Sequence, residues 1–435
     1  MKKQLLFAAV SQIIRNFAPV MTTEFDDIRP YEPEEMGQAF DDLINDRQFG
    51  IIMKGYAPWL PKGVRNALLR LAFTGVRTPL DFQLRFMKPI VKHIIRRHTD
   101  GCTFDDKALK DYKPEPTART ASAGSNAPAG TIAGDCQRYT FISNHRDIVL
   151  DPALLDVMLV EAGYPTTVEI GIGDNLLIYP WIKRLVRMNK AFTVRRGLTP
   201  KEMLSSSQLM SRYIHHAVTE KHENVWIAQR EGRAKDSDDR TQDSVLKMLA
   251  MGGQGDNFAE RLRDLNIVPL TISYEFDPCD YLKAKEFQLK RDDPGYRKSK
   301  QDDLDNMKTG IFGYKGKVVY RCGTPVNAWI DELKDLPKNV FFKEMSHRMD
   351  REIHAGYELW PYNYLALDML NGNQEATKNH LRSKEGLQEA RTYFENYLKG
   401  QIAKIDIPGK DDTFLRNTIL TMYANPLRNK LKIED

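Results

Sequence analysis

Five short apolar runs, separated by helix-length segments, constrain this chain more than any other feature. They are Phe141 to Ser143, Thr167 to Ile170, Ala191 to Val194, Val225 to Ala228 and Ile267 to Ser273. Each is rich in β-branched or aromatic residues, and the intervening lengths suit crossover helices. That alternation predicts an α/β fold, a mostly parallel sheet flanked by helices. Binding groups in such a fold sit at the carboxyl ends of the strands. His145, Arg195-Arg196 and Glu231-Gly232 all follow directly on such ends.

The rest of the chain divides around this core. Residues 1 to 112 read as an N-terminal helical region, 113 to 135 as a Pro/Gly/Ala/Ser linker, 136 to 335 as the α/β domain, and 336 to 435 as a C-terminal helical extension. Within the first, residues 24 to 58 are acidic and helical. From Pro61 to His98 the charge reverses. Nine basic residues face one acid, Asp81, and interleave with apolar residues as a pair of amphipathic helices broken near Thr78-Pro79. Such a face can pack in a core or lie on an anionic membrane surface, where each basic side chain contributes ~1 kcal/mol. Residues 276 to 312 read as charged and helix-poor. Lys317 to Arg321 alternates as a further strand, and charged helices follow near 340 to 370 and 385 to 404.

Several classes are disfavoured. The net charge of +5 on 435 residues is mild, and the aromatics of the basic stretch have core-like spacing without a nucleic-acid reader motif. Cys102, Cys136, Cys279 and Cys322 lack paired or metal spacing, as expected of reduced cytoplasmic thiols. No run approaches the ~20 apolar residues of a membrane-spanning helix. The start, Met1-Lys2-Lys3 and then Leu5 to Val10, resembles a short signal peptide. Gln12 and Arg15 interrupt it, so export is not expected, and Met21 is an alternative first residue.

Four stretches carry chemistry. In Ser143-Asn144-His145-Arg146-Asp147-Ile148-Val149-Leu150-Asp151-Pro152 a strand delivers one imidazole to a turn, with acids two and six residues later. An imidazole steadied by a carboxylate is what a general base requires, and either Asp147 or Asp151 could be the partner. In the second, a strand ends in Arg195-Arg196-Gly197, and paired guanidiniums can hold phosphate through forked hydrogen bonds. Its opening Gly171-x-Gly173 lacks the third glycine of a dinucleotide fingerprint. The third, Arg230-Glu231-Gly232-Arg233-Ala234-Lys235, places a permissive glycine among groups suited to an anion. The fourth, Ile267-Val268-Pro269-Leu270, is an apolar strand with proline near its start.

In order and spacing the four stretches resemble the glycerolipid acyltransferase superfamily. His145 to Pro152 is similar to its His-x4-Asp block, Lys190 to Gly197 to the block ending in Arg-Arg, Arg230 to Arg233 to the Glu-Gly-(Thr/Gly)-Arg block, and Ile267 to Leu270 to the Val-Pro block. Gly171 to Arg196, with Asn175-Leu176 and Tyr179-Pro180, is most similar to the glycerol-3-phosphate acyltransferase branch. There are two departures. The acid after His145 comes one residue late if it is Asp151, and the third block lacks one residue between Gly232 and Arg233.

The resemblance implies transfer of an acyl group from acyl-CoA or acyl carrier protein to a hydroxyl of glycerol 3-phosphate or a lysophospholipid, in phospholipid biosynthesis. His145 would be the base, with Asp151 or Asp147 as its partner. Arg195, Arg196, Glu231, Gly232, Arg233 and Lys235 would bind the acceptor. No cofactor, metal or nucleic acid is implied, and the protein would be cytoplasmic and peripheral on the inner face of the membrane. The other reading is an inactive relative that binds lipid or a carrier protein.

Overall fold

The apolar runs pair into a seven-stranded sheet in a computed structural model described for residues 23–112, 137–381, 383 and 385–434. The strands are β1 (Cys102–Asp105), β2 (Thr140–Ser143), β3 (Val168–Gly173), β4 (Ala191–Val194), β5 (Asn224–Ala228), β6 (Ile267–Tyr274) and β7 (Val318–Cys322). Their order across the sheet is β1-β7-β6-β2-β5-β3-β4. All neighbours run parallel except β6 and β7. The fold is therefore α/β, with β2 near the middle of the sheet. The linker stretch 113 to 135, Cys136 and both candidate start residues lie outside the described residues.

The principal helices up to the end of the first crossovers are α1 (Met36–Asn45), α2 (Arg47–Tyr56), α3 (Lys62–Phe73), α4 (Lys88–His98), α5 (Leu150–Glu161), α6 (Pro180–Met188) and α7 (Pro200–Thr219). Those after β6 are α8 (Asp280–Asp292), α9 (Lys300–Phe312), α10 (Lys338–Ala355), α11 (Pro361–Asn371), α12 (Leu387–Ala403) and α13 (Asp412–Glu434).

Strand alternation sends successive side chains to opposite faces. Ile142, Val225, Ile227 and Ile267 pack with α7 and with Phe341, Phe342 and Met345 of α10. Phe141, Trp226, Val268 and Leu270 pack on the other face against α5 and α4. Every residue of α5 from Leu150 to Leu159 is buried, as expected of a helix that is apolar on all sides. The break near Pro79 is a helix start. Thr78 Oγ1 accepts the Asp81 amide at 3.0 Å, and the Asp81 carboxylate accepts the Thr78 amide at 3.0 Å. This is a reciprocal cap in front of the turns that lead into α4.

Three expectations are corrected. Residues 1 to 112 are not helical throughout, because β1 joins the sheet edge beside β7. Residues 276 to 312 are mostly helix, as α8 and α9. The division at 335/336 separates no packing unit, since α10 covers the sheet while α11, α12 and α13 share a core with Phe276 and Ala284.

Asp156 of α5 accepts hydrogen bonds from Gln83 Nε2 and the Val168 amide, each at 2.9 Å. Burial pushes its carboxyl up to about 7. The folded state thus keeps a proton that the unfolded chain gives up near pH 4. Its contribution to stability is present at low pH and is lost as pH rises towards 7, a change of about 4 kcal/mol. Asp156→Asn is expected to flatten the dependence of Tm on pH between 5 and 7. An unchanged slope in thermal melts would contradict this assignment.

Candidate active site

The turn after β2 is fixed before it reaches the histidine. Ser143 Oγ accepts from Trp226 Nε1 at 3.0 Å. Asn144 bridges to β6, donating to the Ile272 carbonyl at 2.9 Å and accepting the Ile272 amide at 2.7 Å. His145 follows, its ring edge-on to Trp226 at 5.6 Å. Its Nδ1 lies 2.8 Å from Asp151 Oδ2. The His145 side chain is 14% exposed and that of Asp151 is fully buried. Among the described residues nothing hydrogen-bonds Nε2 of His145.

Asp151 sits in the first turn of α5 and gathers further donors. The Arg146 amide reaches Oδ2 at 2.7 Å, the Asp147 amide reaches Oδ1 at 3.1 Å, and the Tyr274 hydroxyl reaches Oδ1 at 3.2 Å. A carboxylate held from several sides has little freedom to turn, so it fixes the imidazole's orientation. Asp147 has a different task. Its Oδ1 accepts the amides of Val149 and Leu150, both at 2.8 Å, and so holds the turn that leads into α5. Burial, then the charge of Asp151, raises the Asp147 carboxyl above its usual range. Of the two candidate acids, Asp151 is therefore the one that pairs with His145.

The basic residues divide. Arg196 Nη1 bonds Glu231 Oε1 at 2.6 Å, and the Arg196 amide donates to Asp174 Oδ1 at 3.1 Å. β4 lies three strands from β2, or about 14 Å at 4.8 Å per strand. The bond to Glu231 draws the guanidinium back towards the β5 loop. Gly232 occupies the left-handed region at φ 70°, where a side chain would be strained. Arg233 Nη2 donates to Asn306 Oδ1 at 3.0 Å, and its positive charge acts on Asp147 and Asp277. Arg196, Glu231, Gly232 and Arg233 thus share the sheet's carboxyl edge with His145.

Arg195 and Lys235 turn elsewhere. Neighbours in an extended chain point to opposite sides, and Arg195 reaches Asp27 at 3.1 Å with its side chain 43% exposed. Lys235 pairs with Glu286 of α8, and burial lowers its ammonium below the usual lysine range. Three guanidinium nitrogens in this region, Arg196 Nε, Arg230 Nε and Arg233 Nη1, are buried without an acceptor among the described residues. Such donors suit an anion with several oxygens, as a phosphate has.

The sequence does not single out Arg146, Tyr274 or Asp239. Arg146 Nη2 lies 2.7 Å from Asp239 Oδ2. The Tyr357 hydroxyl donates to the same Asp239 oxygen at 2.5 Å. A buried arginine next to the histidine is the one local signal that could have drawn attention to this second network. In comparisons with known proteins, no family profile and no curated sequence matches the chain.

Asp147 is packed against α9. A Cβ at Gly310 would stand 1.9 Å from Asp147 Oδ2. Gly310→Ala should cost about 1–3 kcal/mol, the usual scale of overpacking, and should disturb the turn that Asp147 holds. Denaturant unfolding measures this. An unshifted midpoint would contradict so close an approach.

Proposed function

We propose that this protein is an O-acyltransferase of the glycerolipid type, with the α/β core of the glycerol-3-phosphate acyltransferases. It moves a fatty acyl group from acyl-CoA or acyl carrier protein to a hydroxyl of glycerol 3-phosphate or a lysophospholipid, in glycerophospholipid synthesis. The observation that carries this reading is the His145 Nδ1 to Asp151 pair, which leaves Nε2 for substrate, on the edge that also holds donors without acceptors on Arg196 and Arg233.

The chemistry follows from those groups. Nε2 of His145 takes the acceptor's hydroxyl proton as its oxygen bonds the thioester carbon. Asp151 holds Nδ1–H and stabilises the imidazolium that forms, which is base-and-orienter logic without an enzyme nucleophile. When the tetrahedral intermediate collapses, the C–S bond breaks and the imidazolium returns the proton to the departing thiolate. Arg196 and Arg233 hold the acceptor's phosphate, and Glu231 keeps Arg196 in place.

A membrane site of action also has physical support. No helix among the described residues is long and apolar enough to cross a membrane. Between Arg47 and Leu80 the sequence carries six basic residues and no acid. On α2, α3 and the turn between them, Ile51, Val64 and Leu68 are exposed, Trp59 is 76% exposed and Leu71 70%. An exposed apolar face among basic side chains suits an anionic bilayer surface. The protein then acts from the cytoplasm, peripherally on the inner face of the membrane.

Purified protein, offered labelled acyl-CoA or acyl-ACP with glycerol 3-phosphate and lysophosphatidate, is expected to form the acylated lipid. His145→Ala should lower kcat at least 1,000-fold with an unchanged circular dichroism spectrum, and Arg196→Ala should raise KM for the acceptor. Retained turnover in His145→Ala would end the mechanism. Cosedimentation with phosphatidylglycerol vesicles should be lost in Trp59→Glu/Leu71→Glu. Undiminished binding by that variant would place the membrane face elsewhere.

A further inference from the structure

How strongly a base holds its proton depends on what else its partner holds. Among the described residues the Asp151 carboxylate accepts from His145 Nδ1, from the amides of Arg146 and Asp147, and from the Tyr274 hydroxyl. The two amides belong to the turn and would be present with any side chains there. Apart from the histidine, Tyr274 is the one side chain in that set. Strand alternation delivers it. Val268, Leu270, Ile272 and Tyr274 lie on the face of β6 that packs towards α5, and Tyr274 is the strand's last residue.

A second tyrosine reaches Asp151 without touching its carboxylate. Tyr320 of β7, opposite Ile272 in the register, donates to the main-chain carbonyl of Asp151 at 3.0 Å. Tyr320 thus holds the residue, whereas Tyr274 bonds the charged group itself. Burial, followed by the neighbouring Tyr320 and Asp151, keeps the Tyr274 hydroxyl far above its usual range, so it remains a donor at any pH near neutral. The charge of Asp151 also acts on Arg146 and Asp147 of the turn and on Tyr320 of β7. Arg146 is engaged by Asp239. From β5 the imidazole meets Trp226, which carries no titratable group.

A hydrogen bond donated to a carboxylate draws off part of the charge that would otherwise steady an imidazolium beside it. We propose that Tyr274 is a positioning residue that tunes His145: its O–H weakens the hold of Asp151 on the imidazolium, so that the ring releases its proton at lower pH. The role in catalysis rests on the acyltransferase reading. There, an imidazolium held less tightly returns its proton more readily to the departing thiolate.

A pH titration of the His145 ring by NMR, in the full-length protein, tests this without any reaction; the signal is assigned by its absence in His145→Ala. Tyr274→Phe removes the hydroxyl and keeps the aromatic ring. The His145 midpoint in that variant is expected to rise by about 0.5 pH unit, a fraction of what a hydrogen bond to a charged group is worth. The acid limb of the kcat/KM profile should move with it. 3-Fluorotyrosine in place of Tyr274 keeps the shape, makes a stronger donor, and should move the midpoint the other way; it decides the matter should the phenylalanine variant fail to fold. Tyr320→Phe removes a bond to the same residue but not to its carboxylate, and should leave the midpoint close to that of the wild type. An unmoved midpoint in the folded Tyr274 variants, or an equal shift in Tyr320→Phe, would reduce Tyr274 to packing and overturn the proposal. The expected shifts in a protein that transfers no acyl group would leave the tuning of His145 standing and remove the reading of the reaction.

Discussion

A single hydrogen bond between a half-hidden imidazole and a buried carboxylate organises the centre of this molecule. Asp151 is reached by His145 Nδ1, by the amides of Arg146 and Asp147, and by the Tyr274 hydroxyl of β6. Tyr320 of β7 donates to its main-chain carbonyl at 3.0 Å. Three of the sheet's strands and the first turn of α5 therefore meet at one residue. A buried carboxylate without such partners would be costly to hold in the fold. With them, the acid serves packing and chemistry together, since whatever fixes Asp151 also fixes the ring of His145.

The two sides of that pair differ in electrostatics. Towards β4, Arg196 keeps an N–H donor without an acceptor among the described residues, and its paired acid Glu231 lies at the surface. Towards β6, each charge has a partner and one donor is left over. The imidazole stands between them, after the strand from which the chain's crossings spread to either side.

Much of the sheet was legible because strand burial writes itself as alternation or as short apolar runs. β2, β4, β5 and β6 fall where Phe141, Phe192, Trp226 and Val268 mark them. α8 and α9 were not legible. Their inward faces include Lys283, Glu286, Asn306 and Gly310, which a search for apolar periodicity passes over; Lys283 is neutralised by Asp277 once the chain has folded. β1 was hidden by its brevity and its distance in sequence from β7. At the site, the resemblance favoured Asp151, which precedes Pro152, and kept Asp147 as a competitor. Only the path of the turn separates the acid that holds it from the acid that pairs with His145. The division of Arg195 from Arg196 was readable in principle, because adjacent residues at a strand end point to opposite sides.

The central claim is that Asp151 holds the proton on Nδ1 of His145 and so leaves Nε2 bare to act as a base. Nitrogen-15 NMR of the histidine ring at neutral pH measures this directly. The account predicts that the uncharged form of the ring is the tautomer protonated at Nδ1, with that proton lost from its hydrogen-bonded position in Asp151→Ala. A ring protonated at Nε2, or one indifferent to removal of the Asp151 carboxylate, would contradict it.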